Sequence, residues 1–217
     1  MHVVIFAGGT LRMGQGVRAA IANNDLVIAA DRGAATALQY GCTPAFVVGD
    51  FDSLAALPLQ QSQARGSRII RATVEKDETD SELAIQVAIE QGASAITLLG
   101  GLGAARLDHT MGNIMLLAGF EHVPIRIVDG PSTCWLLRGP GRTNIEGEKG
   151  DLLSLLPLTG DVTGIQTQGL YYPLHRETLH FGKPRGISNV LTEQQAEVSC
   201  ESGLLLIIHT AIAELQE

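Results

Sequence analysis

Aspartates fall just past short apolar runs in the first half of the chain: Asp31 after Leu26–Ala30, Asp50 and Asp52 after a run ending at Val48, Asp77 and Asp80 after a run ending at Ala72. Carboxylates gathered at one edge repel one another, and the usual remedies are protonation or a bound cation. Mg²⁺ takes one or two carboxylates and fills its other positions with water and phosphate oxygens. Such a set therefore points to metal-assisted phosphoryl chemistry, with some of the aspartates holding waters instead of the ion. Each also has a plain structural reading. Aspartate is common in turns whatever the function, and Asp80, one residue past a capping Thr79, gains from the helix dipole alone. It is the coincidence of several that carries the functional reading. Taken by itself, Gly49-Asp50-Phe51-Asp52-Ser53 also fits a phosphatase loop of the haloacid dehalogenase type or a glycosyltransferase DxD.

Two glycine loops supply the complementary chemistry. Gly100-Gly101-Leu102-Gly103-Ala104-Ala105-Arg106 lies between an apolar run and a helical pattern, and Gly8-Gly9-Thr10 follows the first apolar run. Loops of this kind offer backbone N–H groups to phosphate oxygens. Neither is a dinucleotide fingerprint or a Walker A loop, because Arg106 stands where the third glycine belongs and no Gly-Lys-Ser/Thr follows. Arg106-Leu107-Asp108-His109 sets a guanidinium, a carboxylate and an imidazole beside the second loop, although a lone histidine at a helix start is more often a plain helix-terminal residue.

The elements that must position these groups come in two textures. Up to about Gly130, apolar runs (Val3–Ala7, Leu26–Ala30, Ala45–Val48, Arg68–Ala72, Ala95–Leu99, Ile125–Val128) alternate with helical patterns (Gly16–Asn23, Ala34–Tyr40, Leu54–Ala64, Thr79–Gln91, Leu107–Phe120). Runs with little polar alternation belong to strands buried on both faces, and the alternation predicts a Rossmann-like parallel sheet. Its ligands belong at the carboxyl ends of the strands. Thr79 and Glu82 form a capping-box pattern, and Leu83, Val87 and Ala88 recur at helical spacing behind it. Beyond Gly130 the chain turns to short runs (Ser132–Leu137, Asp151–Pro157, Glu197–Glu201, Leu204–His209) among glycine, proline and polar turns, which predicts a β-sandwich or partial barrel over 131–217 after an α/β domain over 1–130.

Composition narrows the partners. A formal charge of −8 with few aromatics argues against a nucleic-acid binder that works by phosphate neutralisation. Cys42, Cys134 and Cys200 have neither zinc nor CxxC spacing, and an odd number cannot all pair within one chain. The chain runs straight into MHVVIFAGG without a signal-peptide pattern, and no apolar run reaches membrane-spanning length, so a cytoplasmic protein with no membrane partner is expected.

Several segments, in order, resemble thiamine pyrophosphokinases: Asp31-Arg32-Gly33-Ala34, Gly49-Asp50-Phe51-Asp52-Ser53, Lys76-Asp77-Glu78-Thr79-Asp80, Gly100-Gly101 through Arg106-x-Asp108-His109 to Asn113, and in the β-rich part Gly169–Leu174 and Gly186-Ile187-Ser188-Asn189. The resemblance covers nearly the whole chain. It implies an N-terminal α/β domain carrying ATP and Mg²⁺, a C-terminal β-sandwich for thiamine, and a homodimer with active sites between subunits. It carries the metal and phosphate carboxylates onto Asp31, Asp50, Asp52 and Asp80, with Asp77 nearby. The nucleotide side comprises Gly8, Gly9, Arg32, Thr79, Gly100, Gly101, Arg106, His109 and Asn113. Asp50, Asp52, Asp80 and Asp108 are the candidates for catalysis. Ser188 and Asn189 match the loop that meets the aminopyrimidine, and Tyr172 stands where the family often has the tryptophan that stacks on thiamine; a tyrosine offers a smaller face. The implied reaction is attack by the thiamine hydroxyl on the β-phosphorus of ATP with AMP leaving. Two other activities compete with it, a pyrophosphokinase of the same fold acting on a hydroxymethylpterin and a phosphatase with Asp50 as nucleophile. A nucleotide-binding module without turnover is the non-enzymatic alternative.

Overall fold

The computed structural model describes residues 1–51, 56–73, 75, 77–103 and 106–215. The chain divides into two compact units, Met1–Gly130 and Pro131–Glu217.

The first unit alternates strand and helix throughout: β1 (His2–Phe6), α1 (Gln15–Ala22), β2 (Leu26–Ala30), α2 (Gly33–Gln39), β3 (Phe46–Gly49), α3 (Ala56–Ala64), β4 (Arg68–Arg71), α4 (Asp80–Glu90), β5 (Ala95–Leu99), α5 (Leu107–Gly119) and β6 (Ile125–Asp129). Its strands pair in the order β4-β3-β2-β1-β5-β6, all parallel. The uninterrupted apolar runs are explained by burial: Val3 to Phe6, Ile28 to Ala30 and Leu98–Leu99 lie under helices and are almost fully shielded. β4 closes the edge with an arginine at each end, a charge pattern that discourages further strand pairing. Thr79 caps α4 by accepting the Glu82 N–H at 3.2 Å, as the capping-box pattern predicts. The buried face of α4 is Ala84, Ile85, Val87 and Ala88, so Leu83 contributes less to it than its spacing suggests. Among the described residues no helix is long and apolar enough to cross a membrane.

The second unit is a sandwich of antiparallel sheets built from β7 (Ser132–Arg138), β8 (Gly141–Glu146), β9 (Leu152–Pro157), β10 (Val162–Gln168), β11 (His175–Leu179), β12 (Asn189–Val190), β13 (Gln195–Cys200) and β14 (Leu204–Thr210). One layer runs β12-β9-β14-β7 and the other β11-β10-β13-β8. Leu153, Leu155, Leu205 and Ile207 from the first interleave with Ile145, Ile165, Leu179 and Val198 from the second to form its core. A short 3₁₀ turn, Ile212–Leu215, follows β14.

Asp151, at the start of β9, ties this end of the unit together. Its Oδ2 accepts the Glu148 N–H at 2.9 Å and lies 2.9 Å from His209 Nε2, while its Oδ1 accepts the Ile212 N–H at 3.0 Å. Burial alone raises a carboxyl's pKa, but these donors outweigh it and hold Asp151 below its ordinary value of 3.8. A depressed folded pKa contributes stability that is present above the unfolded value and lost as pH falls through the folded one. The thermal midpoint should therefore be level from about pH 7 to about pH 5 and fall below about pH 4. Asp151→Asn should lower the midpoint at pH 7 and flatten part of that acid limb in melts across pH. Identical acid limbs in both proteins would contradict the assignment.

Candidate active site

The chain leaves β1, builds the sheet outward through β2, β3 and β4, and returns to the opposite side of β1 with β5. The carboxyl ends of β1 and β5 thus form a topological switch point, where an open parallel sheet leaves a crevice. Both glycine loops lie there, stitched together. Ala7 N–H donates to Leu99 O at 2.8 Å and Thr10 N–H to Gly103 O at 3.0 Å. A Cβ on Gly103 would sit 1.8 Å from the Thr10 oxygen, so only glycine permits the approach.

The helix after the second loop props it from below. Asn113 is buried and its Nδ2 donates to Gly101 O at 2.9 Å, while Thr110 Oγ1 reaches Leu102 O at 3.4 Å. With these carbonyls and that of Gly103 bonded to protein donors, the loop turns fewer lone pairs toward an anion, which suits a phosphate cradle. Asn113 acts on the loop's backbone, which is not evident from its type or spacing.

A cleft of about 430 Å³ opens beside the loops, lined by Gly8, Gly9, Thr10, Arg32, Thr36, Gln39, Tyr40 and Gly103 among others. Arg32 packs over Gly8, whose Cβ position lies 3.8 Å from Arg32 Cβ and 4.0 Å from Nε. Its guanidinium supplies positive charge at the first glycine loop. Tyr40 bounds the cleft with its hydroxyl directed at Leu11 O at 3.5 Å.

The acidic edge adjoins this cleft through the Asp31-Arg32 step. Asp31 is 8% exposed and adopts φ 43°, a left-handed turn that aspartate tolerates better than most residues. Its N–H donates to Val48 O at 2.8 Å, which joins it to the end of β3. The backbone passes close by: a Cβ on Gly49 would be 3.3 Å from Asp31 Cβ. Asp50 follows directly, so Asp31 and Asp50 stand on neighbouring strand ends. Asp80 is half-buried in the first turn of α4, which leads from the carboxyl end of β4 back to the start of β5, while Asp77 is exposed in the connection before it. Asp52, Lys76 and the first residues of the predicted Leu54–Ala64 helix lie outside the described residues. Among the described residues no three of His, Cys, Asp and Glu gather into a cage. All-oxygen donors on neighbouring strand ends suit a hard cation that is completed by water and phosphate.

Arg106 and Asp108 are engaged with each other. Nε and Nη2 of the arginine donate to the two carboxylate oxygens at 3.2 and 2.5 Å, and His109 N–H donates to Asp108 Oδ1 at 3.0 Å. The Arg106 guanidinium holds the Asp108 carboxyl below the usual carboxylate range, which makes it a weak proton acceptor. His109 takes part through its backbone, and its side chain is exposed. Sequence reading missed a further pair, Arg12 with Asp129. Asp129 ends β6 as the other aspartates end or follow their strands, and that recurrence was the available signal.

In the second unit, Tyr172 and Tyr171 form an edge-to-face pair with centroids 4.8 Å apart, and both rings are about two-thirds exposed. Asn189 is buried, and its amide exchanges hydrogen bonds with the Tyr172 backbone: N–H to Oδ1 at 3.0 Å, Nδ2 to O at 2.8 Å. It presents Tyr172 through that exchange. Ser188 adopts φ 56°, and its N–H donates to Ser154 Oγ at 3.1 Å.

Residues 17–128 match the family model for the thiamin pyrophosphokinase catalytic domain, and residues 142–205 match that for the thiamin pyrophosphokinase vitamin B1 binding domain. Thiamine pyrophosphokinase of Bacillus subtilis is 29% identical over 95% of this chain and 97% of its own. The crystal structure of the Bacillus subtilis thiamine pyrophosphokinase superposes with a TM-score of 0.86 over 98% of this chain and 100% of its own, at 28% identity. That of thiamin pyrophosphokinase from Geobacillus thermodenitrificans does so at 0.82 with 30% identity, over 97% of this chain and 98% of its own.

Proposed function

This chain belongs to the thiamin pyrophosphokinase family, and we propose that it transfers pyrophosphate from ATP to the hydroxyl of thiamine through the cleft at the β1/β5 switch point. The observation that carries this reading is the pair of glycine loops zipped together beside Arg32, with Asp31 and Asp50 on the adjoining strand ends. One side of the site favours phosphate oxygens and the other a divalent cation.

The thiamine oxygen bonds to the β-phosphorus, the bond from that phosphorus to the oxygen bridging the α-phosphate breaks, and AMP leaves while the hydroxyl proton is taken up. Phosphoryl transfer asks a protein chiefly to position reactants and offset charge. The glycine loops orient the phosphates and Arg32 offsets their charge. Asp31, Asp50 and Asp80, with Asp52, are the residues to hold Mg²⁺, which supplies charge stabilisation on the phosphate oxygens when bound. Asp108 stays paired with Arg106 and orients it, which leaves it a weak proton acceptor. We assign thiamine to the Tyr172 and Ser188 face of the second unit. We take the protein to be cytoplasmic and to act as a homodimer with active sites between subunits. The exposed Tyr171–Tyr172 pair and the exposed apolar row Leu107, Met111 and Met115 on α5 support the homodimer.

Chromatography of AMP and thiamine pyrophosphate from purified protein, ATP, Mg²⁺ and thiamine, with each omitted in turn, tests the reaction. Equal appearance of both products, dependent on metal and thiamine, is expected; inorganic phosphate without AMP would overturn it. Tyr172→Ala should raise the thiamine KM about tenfold, the loss of a stacked ring of about 1 kcal/mol or more, and leave the ATP KM within about twofold. Equal rises in both would remove Tyr172 from the thiamine face.

A further inference from the structure

The connector from Ala7 to Gly14 crosses the carboxyl edge by bonding to one strand end after another. Ala7 bonds to Leu99 at the end of β5 and Thr10 to Gly103 just beyond it. The third attachment, at the end of β6, is of a different kind. Arg12 N–H donates to Asp129 Oδ1 at 2.9 Å, its Nε and Nη2 donate to Oδ2 at 3.2 and 3.0 Å, and Gly130 N–H returns a bond to Arg12 O at 2.9 Å. The Asp129 side chain is wholly buried, whereas that of Arg12 is 62% exposed. A buried carboxylate is retained only where its lone pairs are filled, and here the donors come from the backbone and side chain of a single loop residue. That residue stands two positions from Thr10, where the two glycine loops are clamped.

We propose that Asp129 and Arg12 are positioning residues for ATP: the buried carboxylate fixes the outer end of the first glycine loop and so sets the wall against which the phosphates bind. This rests on the assignment of ATP to the switch-point cleft. The pair acts on the loop and need not touch the nucleotide. Its effect therefore falls on ATP binding and leaves thiamine binding unchanged. The bond from Arg12 N–H persists without the guanidinium, so loss of the side chain loosens the loop but does not release it.

Steady-state kinetics with each substrate varied, on wild type, Arg12→Gln, Arg12→Lys and the Arg12→Gln/Asp129→Asn double variant, test this. Arg12→Gln should raise the ATP KM about tenfold and leave the thiamine KM within about twofold. Arg12→Lys keeps the charge but cannot span both side-chain bonds, and should fall between it and wild type. The double variant, which no longer buries a charge, should recover thermal stability but not the ATP KM. If Arg12→Gln fails to fold, the same split is read from Arg12→Lys. An unchanged ATP KM in folded Arg12→Gln, or equal rises for both substrates, overturns the proposal. A wild-type protein that forms no AMP from ATP overturns instead the reading on which it rests.

Discussion

Asp50→Asn should lower kcat for thiamine pyrophosphate formation by about a hundred- to a thousandfold, the range seen when one preorganised electrostatic contact at a reacting centre is removed. Asp50 follows β3 at the point where Gly49 lies against Asp31, so the substitution changes one of two carboxylates on adjoining strand ends. The replacement is isosteric and removes only charge. The Mg²⁺ concentration needed for half-maximal rate should rise, because a hard cation is held by negative oxygen. Thermal stability should hold or increase slightly, because carboxylates placed for function repel one another when no cation lies between them. Rates across Mg²⁺ concentration and a melting curve without metal check both halves. A full rate would remove Asp50 from the reaction, and a loss of rate that tracks a fall in melting temperature would mark it as structural. Asp80→Asn is the less selective companion, since Asp80 also answers the dipole of α4 and its loss costs about 0.3–1 kcal/mol of helix stability in any case.

What could be read from the sequence divides along physical lines. Strands buried on both faces are written as continuous apolar runs, and β1 to β6 were legible to within a residue or so for that reason. Aspartates past those runs marked the carboxyl edge of the sheet. The second unit was harder. Its core strands β7, β9, β13 and β14 stood out, but β8, β10 and β11 did not. β10 carries a bulge between Val162 and Ile165, which sets these two buried residues three apart and interrupts the period-two signal. β8 and β11 are the edge strands of their layer and each fully buries a single side chain, Ile145 and Leu179, within polar sequences such as Gly141-Arg142-Thr143-Asn144.

Within the candidate site, the residue types were legible but their partners were not. Arg106 and Asp108 read as independent groups beside a phosphate, and in the structure they are a bidentate pair. Asn113 and Asn189 read as ligand contacts, and both amides are bonded to backbone, one shaping the second glycine loop and the other presenting Tyr172. The reason is general: side-chain hydrogen bonds more often end on backbone than on other side chains, and sequence does not say which backbone group a fold will bring within reach. Arg12 and Asp129 stayed invisible because they are more than a hundred residues apart and meet only when β6 takes its place beside β5.

Gly33→Ala should be among the most damaging single-methyl changes in the first unit, although it adds one carbon at the start of a helix, where alanine is ordinarily favoured. A Cβ on Gly33 would lie 1.9 Å from the Phe6 oxygen, 2.5 Å from the Phe6 carbon and 3.0 Å from the Ala7 oxygen. These are backbone atoms of the central strand and cannot rotate away, so α2 itself must lift. Overpacking of a well-filled interior costs about 1–3 kcal/mol when side chains can absorb it, and a clash against backbone belongs at or above the top of that range. For a unit of this size about 3 kcal/mol lowers the melting temperature by about 10 °C. Asp31 and Arg32 immediately precede the lifted residue, so the displacement also moves a carboxylate of the acidic edge and the guanidinium of the cleft. Activity should therefore fall well below what the folded fraction accounts for. Gly8→Ala is the control, because its Cβ would meet Arg32 at 3.8 Å, an ordinary contact, and its effect on melting should be within about 1 kcal/mol. Equal melting temperatures for the two variants would show that the close approach of α2 to β1 is not what the Asp31-Arg32-Gly33 segment requires of its glycine.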